Sequence, residues 1–210
     1  MSEEKDRYNI MLSGVGGQGL MLLSETIGRA CGKKNKKVIT GEQHGLSQRS
    51  GSIYVHLRIG EDAHSPLIPY GEADLMVSLE AMEALRNIEY LKEKGRILTS
   101  KRLMHHPMET DELVDEEKES YVSLEDVKEE IDKLTENIYL IDSLGLAEEA
   151  GNARTENVVL LGAVSTFPNF PIEEELLKEV VEETVPEKTV ETNLKAFELG
   201  KEEALEEFDM

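Results

Sequence analysis

The chain has 210 residues but a single cysteine, Cys31, and no tryptophan. One thiol cannot form an intrachain disulfide, and alone it cannot supply a zinc ribbon or a four-thiolate iron–sulfur cluster. Chains without disulfides are typical of reducing compartments, so we expect a cytoplasmic setting. We also predict that Cys31 is a small core residue.

Long apolar runs are absent as well. No stretch approaches the roughly 18 consecutive apolar residues that a membrane-spanning helix requires. The first ten residues, MSEEKDRYNI, are charged and contain no apolar run, so we expect no secretory signal. The sequence therefore predicts no membrane partner.

Positive charge is scarce in the second half of the chain. Residues 1–100 carry 13 acidic and 13 basic side chains, whereas residues 101–210 carry 31 acidic and 10 basic ones, for a net charge of −21. Binding of nucleic acid needs a basic face, so the charge argues against a nucleic acid partner. Two interpretations stay open: a solvated acidic surface suited to a salty cytoplasm, or an acidic face that docks a basic partner subunit.

The apolar periodicity predicts one α/β domain over residues 1–210. YNIML (8–12), a Gly-rich turn, a helical pattern to Gly32 and KKVITG (36–41) predict a strand–helix–strand unit with parallel strands. The alternation in SIYVHLRIG (52–60) predicts a half-exposed strand with Tyr54, His56 and Arg58 on its outer side.

The remaining patterns complete a Rossmann-like, mostly parallel sheet with flanking helices and a helical C-terminal third. Further strands are predicted at 74–79, 95–100 and 137–143, and helices at 80–92, 124–134, 157–167, 172–185 and 186–208. The acidic stretch 101–120 has little apolar pattern, which predicts a mobile surface segment.

A glycine-rich loop follows the first strand. GVGGQG fits the G-x-G-x-x-G spacing and comprises Gly14, Gly16, Gly17, Gln18 and Gly19 around Val15. Glycines permit a tight turn, and the helix that follows offers free N–H groups to an anion. Glu42, after the second strand, stands where a dinucleotide site places its ribose-binding acid. A tight turn without any ligand explains the same loop.

A second polar segment follows the second strand. EQHGLSQRSGS (42–52) is rich in hydrogen-bonding groups, and its candidate site residues are Glu42, His44, Gln48, Arg49, Ser50 and Gly51. Arg49 is suited to a carboxylate or phosphate, and His44 to proton exchange near neutral pH. Both loops leave the carboxyl ends of strands predicted to be adjacent, where open α/β sheets bind ligands. Stabilisation of the loop or of a subunit interface explains these residues equally well.

The combination of motifs resembles a known family. GVGGQG, then EQHGLSQRSGSIYVHLRIG, SPLIPYGEADLMVSLEAMEALR, NVVLLGAV and VPEKTVETNLKAFELG resemble the gamma-type subunit of 2-oxoacid:ferredoxin oxidoreductases. Within that family the chain is most similar to the smaller subunit of the indolepyruvate enzymes. The resemblance covers nearly the whole chain and thins across 101–135.

The resemblance implies a subunit that is inactive alone. Such enzymes decarboxylate a 2-oxoacid oxidatively, reduce ferredoxin and release an acyl-CoA; for the indolepyruvate type the substrates are aryl pyruvates. The resemblance places thiamine pyrophosphate, magnesium and the iron–sulfur clusters on a larger partner subunit, with CoA and ferredoxin joining the complex. This sequence has neither a GDG…NN stretch nor a cysteine cluster, so we expect no cofactor, metal or catalytic residue on this chain by itself.

Two other hypotheses remain open from the sequence. A stand-alone nucleotide-binding α/β protein, either a dehydrogenase or a sensor, would use residues 14–19 and Glu42. A scaffold would carry no site residues at all. We expect the loops 14–19 and 42–52 to face the active site of the larger subunit, with Gln18 and Arg49 offering hydrogen bonds to a shared ligand.

Overall fold

A computed structural model describes residues 7–44, 51–104 and 122–208 of the chain. Within these residues six strands form one sheet. They are β1 (Tyr8–Val15), β2 (Val38–His44), β3 (Ser52–Ile59), β4 (Ala73–Ser78), β5 (Leu91–Ser100) and β6 (Ile138–Ile141). Of the acidic stretch 101–120, only residues 101–104 lie within the described part, so its predicted mobility stays a prediction.

The strand order is β2-β3-β1-β4-β5-β6. The neighbouring pairs β1–β4, β4–β5 and β5–β6 are parallel, whereas β3 is antiparallel to both β1 and β2. The prediction that β1 and β2 are adjacent parallel strands is therefore wrong, although a mostly parallel sheet is confirmed. The reason is that β3 inserts between them, with Gly14 opposite Ile53 in its register against β1.

The prediction that β3 is half exposed is also wrong. His56 and Arg58 are 1% and 5% exposed, although they alternate with the apolar side chains of the strand. The chain that follows β3 covers this face, and the Arg58 guanidinium donates to the carbonyl oxygens of Ser65 and Leu67 at 2.9 and 3.1 Å. The polar face of β3 can be buried because the charged Arg58 side chain hydrogen-bonds backbone carbonyl oxygens there.

Seven helices flank the sheet within the described residues. They are α1 (Leu20–Lys33), α2 (Ala81–Arg86), α3 (Leu124–Asp132), α4 (Ser143–Ala150), α5 (Glu156–Ser165), α6 (Glu174–Thr184) and α7 (Val190–Glu207). The predicted helix at 80–92 ends early, because Asn87 leaves the helical region and a 3₁₀ turn, Ile88–Tyr90, leads into β5. The sequence pattern did not predict α4.

Apolar side chains on alternate positions of β1 face two different cores. Ile10 and Leu12 join the larger core with α1 and the C-terminal helices, and Met11 joins the smaller core with α2 and α3. Cys31 is fully buried in the larger core, which confirms its prediction as a core residue, and burial raises the pKa of its thiol to about 11. Such a thiol is protonated and unreactive at neutral pH.

Helices α5 and α7 cross at backbone contact. A Cβ added to Gly162 would lie 2.0 Å from the carbonyl oxygen of Phe197, and one added to Gly200 would lie 2.0 Å from that of Val159. Because no side chain fits between the two backbones, the crossing requires glycine on both helices. This crossing holds the C-terminal helix against the α5 segment that borders the glycine-rich loop.

Candidate functional site

The glycine-rich loop runs from the end of β1 to the start of α1. Gly17 and Gly19 have φ angles of 99° and 83°, a region that side-chain-bearing residues rarely adopt. The Gly16 N–H donates to the carbonyl oxygen of Gly51 at 3.0 Å. The glycine-rich loop and the described end of the 42–52 segment therefore meet, even though β3 separates β1 from β2.

Gln18 fastens this loop from within. Its Oε1 accepts the Val15 N–H at 2.7 Å, and its Nε2 donates to the carbonyl oxygen of Leu79 at 2.8 Å. A Cβ at Gly14 would come within 2.9 Å of the same Oε1, so the glycine makes room for the glutamine. The carboxamide thus ties the end of β1 to the chain just after β4, which is the turn-forming role weighed against ligand binding above.

The start of α1 is held by a residue that the sequence analysis did not single out. Asn157, in the first turn of α5, donates from Nδ2 to the carbonyl oxygen of Gly19 at 3.1 Å. Asn157 is 2% exposed, and its Oδ1 has no hydrogen-bond partner among the described residues. The apolar pattern of NVVLLGAV predicted only a buried helix. The asparagine that begins this run is the signal that could have indicated a polar contact.

Buried polar side chains follow the carboxyl ends of the parallel strands. Glu156 is 3% exposed and accepts hydrogen bonds from Arg102 Nη1 at 2.8 Å, Ser143 Oγ at 3.0 Å and Ser100 Oγ at 3.2 Å. This network joins the ends of β5 and β6 to the start of α5. A buried carboxylate with a charged partner and two hydroxyl donors is well compensated.

A second buried carboxylate lies beyond the end of β4. Glu80 is 2% exposed and accepts the N–H groups of Glu83 and Met104 at 2.8 and 2.9 Å. Burial raises the pKa of this carboxyl despite the two bonds. Through these bonds Glu80 caps α2 and holds the start of the chain that leaves β5.

Residues 42–44 of segment 42–52 form the solvent-facing end of β2. Glu42 and His44 are both exposed, with His44 Nε2 at 3.6 Å from Glu42 Oε2. Gln48, Arg49 and Ser50 lie outside the described residues. The structure therefore brings Gly51 to the glycine-rich loop and places Glu42 and His44 on the outer strand of the sheet.

Taken together, the described residues at this edge can present backbone N–H groups at the start of α1, but among themselves they form no compact set of ligands. Within residues 7–44, 51–104 and 122–208, no three His, Cys, Asp or Glu side chains are grouped to hold a metal ion. Among the described helices, none combines the length and hydrophobicity that a bilayer crossing requires.

Comparison with known proteins gives consistent matches over nearly the whole chain. The sequence profile of the family described as pyruvate ferredoxin/flavodoxin oxidoreductase matches residues 9–203. The indolepyruvate oxidoreductase subunit IorB of Thermococcus kodakarensis is 42% identical over 200 residues, which cover 95% of this chain and 96% of that protein. The subunit of the same name from Archaeoglobus fulgidus is 36% identical over 199 residues, with 95% and 96% covered.

A solved structure shares the architecture. The gamma subunit of a keto/oxoacid ferredoxin oxidoreductase from Geobacter sulfurreducens superposes with a TM-score of 0.67 at 24% identity, covering 95% of this chain and 99% of that one. At this identity the likeness concerns the fold, and it confirms the predicted Rossmann-like sheet with flanking helices.

Proposed function

The chain belongs to the pyruvate ferredoxin/flavodoxin oxidoreductase family, and from this premise we propose that it is the smaller subunit of a cytoplasmic indolepyruvate:ferredoxin oxidoreductase. The observation that carries the proposal is the 42% identity, over 95% of the chain, to an indolepyruvate oxidoreductase subunit. A match that extends over both chains almost completely favours the same role in the same kind of assembly.

The proposed reaction is the oxidative decarboxylation of an aryl pyruvate. The bond between the keto carbon and the carboxylate breaks and releases CO₂, and the thiol of CoA becomes a thioester with the keto carbon. Two electrons pass singly to two oxidised ferredoxins, and the thiol proton is released. In this proposal a larger subunit holds the thiamine pyrophosphate, magnesium and iron–sulfur clusters that supply the decarboxylation and electron relay.

This chain would contribute a shaped polar edge to the shared site. We place the loop 14–19 and the segment 42–52 against the larger subunit, where His44, Gln48, Arg49 and Ser50 would hydrogen-bond a shared ligand or partner groups. The Gly16–Gly51 bond supports this placement because it brings the described end of the segment, Gly51, to the glycine-rich loop. The N–H groups at the start of α1 favour an anion or a carbonyl oxygen there.

Reconstitution tests the proposal directly. The chain is co-expressed with its candidate larger subunit, and CoA-dependent reduction of ferredoxin or a viologen dye is measured with indolepyruvate, phenylpyruvate and 2-oxoglutarate. We expect turnover with the two aryl pyruvates by the complex and none by either chain alone. Turnover by this chain alone, or tight NAD binding to it, would contradict the subunit assignment.

A substitution tests the segment 42–52 separately. Arg49→Ala should lower kcat/KM of the complex about tenfold or more, since a charge-assisted hydrogen bond to a carboxylate or phosphate contributes on that scale. Arg29→Ala removes an arginine that pairs with Glu25 on the outer side of α1 and serves as the matched control. Equal activity of the two variants would remove Arg49 from the proposed surface.

A further inference from the structure

A cavity of about 330 Å³ lies on the side of the sheet that carries the smaller core and α2. Its lining includes aromatic and aliphatic side chains with two polar ones: Gln43, His56, Leu67, Ile68, Tyr70 and Tyr90. We call it the Tyr90 pocket. Its size suits a small planar ligand.

Aromatic rings form the walls of the Tyr90 pocket. The rings of His56 and Tyr90 stand nearly perpendicular at 5.1 Å between centroids, and the rings of Tyr70 and Tyr90 lie 4.8 Å apart at 42°. Tyr70 is 66% exposed and Leu67 is 49% exposed. His56 and Tyr90 thus form the inner wall of the pocket, and Leu67 and Tyr70 form its solvent-facing outer wall.

His56 gives the pocket an unused hydrogen-bond donor. Its Nδ1 accepts the Ile68 N–H at 3.3 Å, which assigns the ring proton to Nε2. The residue is 1% exposed, and Nε2 has no partner among the described residues. Burial, with a smaller contribution from Arg58, lowers the pKa of His56, so the imidazole is neutral at neutral pH. A buried donor left without an acceptor is rare in folded proteins.

We propose that the Tyr90 pocket binds an uncharged planar aromatic group that carries a carbonyl oxygen, and that His56 Nε2–H donates to this oxygen. The ligand ring would pack against the wall that the Tyr70 and Tyr90 rings form together. No Lys or Arg is among the described residues that line the pocket, so a neutral acceptor suits it better than a carboxylate. Nε2 is covered in this structure, so the side chains around it must move slightly for the oxygen to reach it.

Indole-3-carboxamide is the probe for a direct test with the full chain. Calorimetric titration should give saturable binding, and 3-methylindole, which lacks the carbonyl, should bind about tenfold more weakly for loss of one hydrogen bond. Indole-3-carboxylate should also bind more weakly. When the titration with indole-3-carboxamide is monitored by NMR, the Nε2 resonance of His56 should shift.

Variants place the binding at this pocket. Tyr70→Ser removes an exposed wall ring and should weaken carboxamide binding about fivefold. Leu205→Ser changes an equally exposed apolar side chain, 62% exposed on α7, and should leave binding unchanged. His56→Phe removes the donor and should equalise carboxamide and 3-methylindole; if it fails to fold, the Nε2 shift and Tyr70→Ser decide the question. Absence of saturable binding, equal binding of both indoles to the parent chain, or an unmoved Nε2 resonance overturns the proposal.

Discussion

The crossing of α5 and α7 provides the sharpest test of the fold. Gly162→Ala adds a Cβ that would stand 2.0 Å from the Phe197 carbonyl oxygen, where ordinary contact begins at 3.4 Å. The atom struck belongs to backbone, so the two helices must separate by about 1.4 Å and loosen their shared core. Overpacking of this kind costs about 1–3 kcal/mol or more, and we expect the upper end because the obstruction cannot rotate away.

The helix itself gains from the same substitution. Alanine is favoured over glycine by about 1 kcal/mol in a helix interior, so the net loss for Gly162→Ala is about 2 kcal/mol. For a chain of this length that loss lowers the melting temperature by about 4–8 °C. Calorimetry and urea denaturation of the full chain measure both quantities.

Gly28→Ala is the matched control. Gly28 lies in α1, and a Cβ there would meet nothing within 4 Å. This variant should be more stable than the parent by about 0.5–1 kcal/mol, because only the helix preference changes. A Gly162→Ala protein as stable as the parent, beside a stabilised Gly28→Ala protein, would refute the close crossing of α5 and α7.

Three more predictions concern polar side chains that are held by hydrogen bonds within the fold. Acidification should destabilise the parent chain progressively below about pH 6.5, because the unfolded chain protonates His56 while the lowered pKa keeps it neutral in the fold. The difference between the urea midpoints at pH 8 and pH 5 should be smaller in His56→Gln than in the parent chain. In the control His64→Gln this difference should equal that of the parent. Glu156→Ala should cost about 2 kcal/mol by urea denaturation, since Arg102 and the Ser100 hydroxyl lose their acceptor while Ser143 keeps its bond to Ser100, and a loss below about 0.5 kcal/mol would contradict the network. Gln18→Ala should cost about 2 kcal/mol and increase hydrogen exchange in the glycine-rich loop, because two backbone groups lose their partner; unchanged exchange would contradict the fastening role.

Local signals in the sequence located most of the elements. The run YNIML became β1, and the helical spacing up to Gly32 became α1. The glycines at 17 and 19 were expected to permit a turn, and both have positive φ angles. These features depend on neighbours a few residues apart, so a pattern of period two or 3.6 is enough to reveal them.

Distant contacts decided the remainder of the site. The sequence suggested that β1 and β2 are adjacent, yet β3 lies between them and brings Gly51 to the glycine-rich loop. His56 alternates like a surface residue and is buried. Asn157 lies in an apolar run and still holds the start of α1. Each outcome depends on which element covers which face, and local periodicity does not carry that information.

The sequence by itself therefore determined the class of fold, the position of the glycine-rich loop and the family resemblance that the comparisons confirm. Only the tertiary structure decided that Gln18 is bound within its own turn and that His56 faces a pocket with a spare donor. The physical reason is that a polar side chain acquires its role from the partners that surround it after folding. Ile68 lies 12 residues from His56 along the chain and Leu79 lies 61 residues from Gln18, so no local pattern indicates either contact.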